Sequence, residues 1–151
     1  MKFHTENETD TFDFHEAYVE ELRFGPGVFF MLLDNVKILE ANSRNRDVRT
    51  MRTNGLEFRI RDAQVGAVIE EGYKVYNADG ALQRDIPDRT VEPSEYNELC
   101  RMLCGSSVYE LRHDGSEYVL ALDGEEHGYT IFVKGSGDDE DWNRFMNLEE
   151  I

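Results

Sequence analysis

The sequence predicts an α+β fold made mainly of antiparallel β-structure, about seven to nine strands arranged as a meander, roll or barrel-like sheet, with two short helices. Three observations carry this expectation. Apolar and polar residues alternate with period two along much of the chain, as at Leu56, Phe58 and Ile60 against Glu57, Arg59 and Arg61. Turn chemistry recurs between such segments, at Gly25-Pro26-Gly27, Asn54-Gly55 and Asp114-Gly115. Helical features are confined to two short stretches. No low-complexity linker divides the 151 residues, so 1–151 is expected to form a single domain.

Residues 1–10 are polar and read as a leader able to fray. Residues 11–24 place Phe12, Phe14, Tyr18, Leu22 and Phe24 on one face, the pattern of a half-buried strand. Gly25-Pro26-Gly27 ends it, because proline lacks an amide donor and glycine accepts positive φ. Residues 28–39 predict a long strand, apolar on both faces over 28–33 and therefore central, and interrupted at Asp34-Asn35 by a bulge or tight turn. Residues 42–47 are polar and read as a loop. Residues 48–53 and 56–61 are expected to pair as a hairpin closed by Asn54-Gly55. Short strands follow at 65–69 and 73–76, then a turn at 77–80 and a return over 81–86 that stops at Pro87.

The first helix is expected from Pro93 or Ser94 to Leu103. Proline suits the first turn, Glu92 and Glu95 suit the positive end of the dipole, and Gly105 suits a left-handed cap. Tyr96, Leu99, Cys100, Leu103 and Cys104 form one apolar stripe. A meander follows, with Tyr109 and Leu111, then Tyr118, Leu120 and Leu122, then Tyr129, Ile131 and Val133 as successive inward faces. The second helix is expected over 138–147, with Asp138, Asp139, Glu140 and Asp141 in its first turn and Trp142, Phe145 and Met146 as its docking face.

Charge bounds the partners. The chain has 32 acidic and 16 basic side chains, a net charge of -16. Residues 1–24 hold seven acids and two bases, and residues 111–151 hold eleven and three, whereas residues 44–61 hold six arginines and two acids. Such a surface repels polyanions, so nucleic acid is not expected as a partner, and it favours a basic protein. The longest apolar run, Val28 to Leu33, is six residues, far short of the roughly 20 a membrane span needs. Residues 1–24 lack the basic start and apolar stretch of a secretory signal. A cytoplasmic location and no membrane association follow as expectations.

Arg44, Arg46, Arg49, Arg52, Arg59 and Arg61 are candidate anion ligands, since guanidinium forks match carboxylate and phosphate geometry. The alternative for them is cross-strand pairing with neighbouring acids. Asp138, Asp139, Glu140 and Asp141 are candidate partner-binding residues. Cys100 and Cys104 lie one turn apart, but a closed zinc site needs two more ligands, and both fall on the apolar stripe. His113 and His127 sit beside acids in expected turns. Residues 135–141 lack the spacing of a calcium loop. No nucleophile elbow, phosphate loop or dinucleotide fingerprint occurs. No metal, cofactor or catalytic residue is therefore expected.

Two functions fit. The first is a non-catalytic acidic protein that binds a basic protein partner, like immunity or antitoxin proteins in size and charge alone. The second is a small-molecule binder or enzyme, with a β-enclosed pocket and an arginine-lined anion site. Phe12, Phe14, Phe29, Phe30 and Phe58 would line the pocket, although ordinary core packing accounts for them better.

Overall fold

The computed structural model describes residues 1–149, and β-structure dominates them. Strand β1 is Phe3–Glu6, β2 is Phe12–Asp13, β3 is Tyr18–Gly25, β4 is Val28–Asp34 and β5 is Val36–Ile38. Then come β6 (Met51–Thr53), β7 (Leu56–Arg61), β8 (Gln64–Glu70), β9 (Tyr73–Tyr76), β10 (Leu82–Ile86) and β11 (Arg89–Thr90). Helix α1 is Tyr96–Met102, followed by β12 (Ser107–Asp114), β13 (Glu117–Asp123), β14 (Gly128–Lys134) and β15 (Gly137–Trp142). Ten strands form one antiparallel sheet in the order β1-β15-β7-β4-β3-β12-β13-β14-β8-β11, more than the alternation predicted. A three-stranded sheet, β2-β5-β6, and the hairpin β9–β10 complete it.

The large sheet folds over where β3 meets β12, a junction whose ladder has one residue pair, Ser107 opposite Tyr18, flanked by main-chain bonds such as Val19 N–H to Ser106 and Val108 N–H to Ala17. Its two halves then face each other. Phe58 of β7 lies 6.3 Å from Tyr118 of β13, and Phe14 and Phe29 pack edge-on to Phe58. Trp142 is fully buried between Phe12, Phe3 and Phe145. Phe12, Phe14, Phe29 and Phe58 thus fill the core, as ordinary packing of aromatics predicts. Each such side chain contributes about 1.5–3 kcal/mol by leaving water. Phe30 is buried against the outer face, beneath the guanidinium groups of Arg23 and Arg59 at 4.4 and 4.8 Å.

Two bulges explain where the period-two reading misplaced a tyrosine. Between Val19 and Glu21 the pairing of β3 with β4 slips by one residue, so Val19, Leu22 and Phe24 all point inward while Tyr18 is exposed. Between Val108 and Glu110 the same irregularity buries Val108 and exposes Tyr109. The rest of the meander follows the expected phase, with Tyr118, Leu120, Leu122, Tyr129, Ile131 and Val133 buried.

Four further expectations are corrected. The polar opening is anchored in part, because β1 pairs along its whole length with β15. The strand expected over 11–24 is broken by a turn at Glu16 with φ of 69°, and its first part, β2, joins the small sheet. The Asn54-Gly55 turn exists, with Gly55 at φ of 69°, yet its flanking strands do not pair. Instead β6 pairs with β5, while β7 pairs with β4 and β15. The second helix is a strand. Four acids in a row resemble a helix start, but Asp138, Glu140 and Trp142 share one buried face, and β15 fills the gap between β7 and β1. Non-local pairing overrides the local helix signal.

Helix α1 forms as its sequence implies, after a 3₁₀ turn at Pro93–Glu95 with a capping box between Glu92 and Glu95. Leu99, Cys100 and Leu103 are buried, and Tyr96 packs 4.8 Å from Phe24. Cys104 is exposed, so the stripe ends one residue sooner than the spacing suggests. Gly105, at φ of 93°, closes the helix. No helix among the described residues is long and apolar enough to cross a membrane.

Candidate functional site

Helix α1 lies across one end of the large sheet, beside β11 and the turn between β13 and β14. It leaves a cleft of about 570 Å³. Val91, Leu99 and Leu103 make its floor, all buried in the core. Five glutamates line it, Glu70, Glu95, Glu98, Glu125 and Glu126, against a single arginine, Arg89. That arginine is fully engaged. Its Nε donates to Glu70 at 3.2 Å, and its Nη1 donates to both oxygens of Glu95 at 3.0 Å. Tyr129 donates its hydroxyl to Glu70 at 2.9 Å.

These contacts hold the carboxylates ionised. The Arg89 hydrogen bond pulls Glu70 below the usual glutamate range. The Glu92 main-chain N–H, then Arg89, does the same for Glu95. Burial, then the hydrogen bond to Glu70, pushes the Tyr129 phenol up to about 12. Across the cleft, His127 lies with Nδ1 2.9 Å from the main-chain oxygen of Glu71.

From the rim of this cleft projects the β9–β10 arm. The Asn77 amide to Ala81 carbonyl bond closes it, and Gly72 N–H donates to Asp88 at its base. All of β9 is exposed, and the Tyr73 ring lies 5.4 Å from His127, tilted by 47° to it. Tyr73, Val75, Tyr76 and Leu82 on the arm, with Met102 on the helix side, are five of the eleven large apolar side chains exposed among the described residues. Four of these side chains thus belong to one arm, which meets the acidic cleft where Tyr73 lies against His127. These strands are legible in the sequence without a role, because only the tertiary placement of α1 brings Glu98 and Met102 to the same cleft as Glu125 and His127.

The six arginines do not converge. Arg44 lies over Phe3 at 5.8 Å, and Arg49 Nη2 donates to Asn147 at 2.6 Å. Arg46 is exposed in the loop before β6, and Arg52 is buried on β6. Arg59 and Arg61 stand on the outer face of β7, where β15 brings Asp139 and Asp141 beside them. Arg61 Nη1 donates to Asp139 at 2.6 Å, and Arg61 Nη2 donates to Asn7 at 3.0 Å. Glu57 and Asp141 are directly opposed like charges, and Arg59 sits between them at 3.4 and 3.9 Å. His4 of β1 continues the ladder, with Nδ1 2.8 Å from Asp141. That bond, then the one to Glu6, raises its pKa above the ordinary 6.5. His4, Glu6 and Asp139 place nitrogen and oxygen atoms within 4.8 Å of one another, but Arg61 already occupies Asp139, which makes the group an ion-pair network. Two sets of residues expected to serve different ligands serve each other.

Asp138 and Glu140 have the opposite fate. Both are fully buried on the inner face of β15. Tyr118 donates its hydroxyl to Asp138 Oδ2 at 2.6 Å, and Thr5 donates to Glu140 Oε1 at 2.7 Å. Burial, then the adjacent Asp138, pushes Glu140 far above the glutamate range. Burial also acts to raise Asp138, but contact with Glu140 and the Tyr118 hydroxyl outweighs it and holds Asp138 low. Burial, then Asp138, raises the Tyr118 phenol. The signal that could have found this pair is the period-two phase Asp138, Glu140, Trp142, hidden by the helix-like run of acids.

No family model, curated protein or solved structure matches the chain.

Proposed function

We propose that this is a non-catalytic binding protein that engages a basic protein partner through the α1 cleft and the β9–β10 arm. The observation that carries the reading is the coincidence of five cleft glutamates and an apolar floor with an arm that carries four exposed apolar side chains and meets the cleft at His127 through Tyr73. Lysine and arginine side chains suit such a site, because their stems pack on apolar surface while their head groups reach carboxylates. The acid rim speeds encounter and selects against acidic partners, while Tyr73 and Tyr76 offer the aromatic anchors that dominate interface energies. The arginine-lined anion site draws no support from the geometry, since Arg59 and Arg61 are paired and the other four are dispersed.

The test is titration calorimetry with a lysine- and leucine-rich amphipathic peptide over a salt series. The variant Glu98→Gln/Glu125→Gln/Glu126→Gln is compared with a charge-matched control, Asp10→Asn/Asp114→Asn/Glu149→Gln. The cleft variant is expected to lose at least about tenfold in affinity and much of the salt dependence, and the control little. Equal losses in both would mean that net charge alone attracts the peptide and would defeat the proposal.

A further inference from the structure

We propose that Asp138 and Glu140 form a buried acid–carboxylate pair that holds one proton between them, and that this proton latches β15, and through it the edge strand β1, into the sheet. The argument starts from unmade hydrogen bonds. Each carboxyl has one oxygen satisfied, by Tyr118 or by Thr5. The other oxygens, Asp138 Oδ1 and Glu140 Oε2, are fully buried and have no donor. Two carboxylates carry no donor between them, and the buried Thr9 hydroxyl beside Asp138, with its single proton, can satisfy only one of the two oxygens, so at least one stays orphaned unless one group is protonated. A proton on Glu140 Oε2, donated to Asp138 Oδ1, satisfies both at once. It also removes one of two like charges from a region sealed from water, where neither is solvated.

The surroundings supply no cation inside the cluster to do this instead. From β13 comes the Tyr118 hydroxyl, from β1 the Thr5 hydroxyl, and from the turn before β2 the buried Thr9 hydroxyl. Asn7 accepts the Asp138 main-chain N–H at 3.0 Å, and Arg61 of β7 donates to the Asp138 carbonyl at 3.1 Å with its guanidinium paired outward to Asp139. His113 of β12 is exposed and stacks on Tyr118 at 4.0 Å from outside.

Glu140 is ionised in the unfolded chain at neutral pH, so folding takes up a proton. A glutamate whose folded pKa is raised stabilises fully below the ordinary value of 4.5, and that contribution falls as pH climbs towards the folded value. The folding constant should therefore drop by up to about tenfold per pH unit through neutrality. Loss of the proton sets two anions against each other on β15. Because β1, among the described residues, pairs only with β15 in the sheet, these two strands should open first.

Glu140→Gln tests this, since the amide keeps the shape, donates to Asp138 and needs no proton. Urea unfolding and hydrogen exchange from pH 5 to 9 should show the wild-type folding constant falling relative to the variant, with faster exchange confined to β1 and β15. Infrared spectra at pH 8 should contain a protonated-carboxyl band that the variant lacks. Should the variant fail to fold, the wild-type band decides alone. Parallel pH profiles without that band would overturn the proposal. So would a rise in wild-type melting temperature with calcium or magnesium that Glu140→Gln abolishes, since the pair would then hold a cation.

Discussion

Strand β15 carries four consecutive acids of nearly identical chemistry, and the sheet treats alternate ones in opposite ways. Asp139 and Asp141 face outward, about a fifth exposed, and answer Arg61, Arg59 and His4. Asp138 and Glu140 face inward at no exposure and answer a phenol, a hydroxyl and each other. Water screens the outer set, so its ion pairs are weak and replaceable. Nothing screens the inner set, so each unmade hydrogen bond and each uncompensated charge is felt in full. Residue type does not predict the energetic weight of an acid here. The side of the pleat does.

Substitutions along β15 and its partners should expose that contrast. Trp142→Ala, on the inner face, should lose about 3–5 kcal/mol by chemical denaturation, because it empties the space between Phe3, Phe12 and Phe145. A loss below about 1 kcal/mol would place that ring outside the core. Asp138→Ala should lose about 2–3 kcal/mol, since Tyr118 and Glu140 are left unpaired in the interior. Asp139→Ala should change stability by less than about 1 kcal/mol, and salt should erase the effect. Equal effects at 138 and 139 would abolish the distinction between the faces. The smallest change concerns His4. Asp141→Asn should return its pKa towards 6.5, followed by proton NMR of the imidazole. The stabilisation from His4 is present below 6.5 and fades as pH rises through its higher folded value, so this variant should narrow that window.

Legibility varied along the chain in the same way. At β13 and β14 the alternating residues Tyr118 to Leu122 and Tyr129 to Val133 point where the pattern says, because consecutive hairpins keep one register. At β3 and β12 one extra residue in each reversed the phase, and nothing local at Glu20 or Tyr109 marks a bulge. Of the candidate site residues, Arg59 and Arg61 read from the sequence as a charged strand face suited to cross-strand pairing with acids, which is where Asp139 and Asp141 meet them. The cleft was invisible. Glu70, Glu98 and Glu125 are far apart in sequence, and only the packing of α1 beside the β13–β14 turn unites them.

By itself the sequence determined the β-rich class, the inward faces of β7, β13 and β14, the capped helix at α1 and the excess of negative charge. These depend on the period of side chains along a strand or helix and on the preferences of single turns, all of which act over a few residues. The tertiary structure alone decided that β6 turns away from β7, that β1 is held, that residues 138–141 extend between two strands and that one acidic cleft exists. Each of these depends on which distant strand supplies the missing hydrogen bonds and which face it covers, and that is settled only when the whole sheet closes.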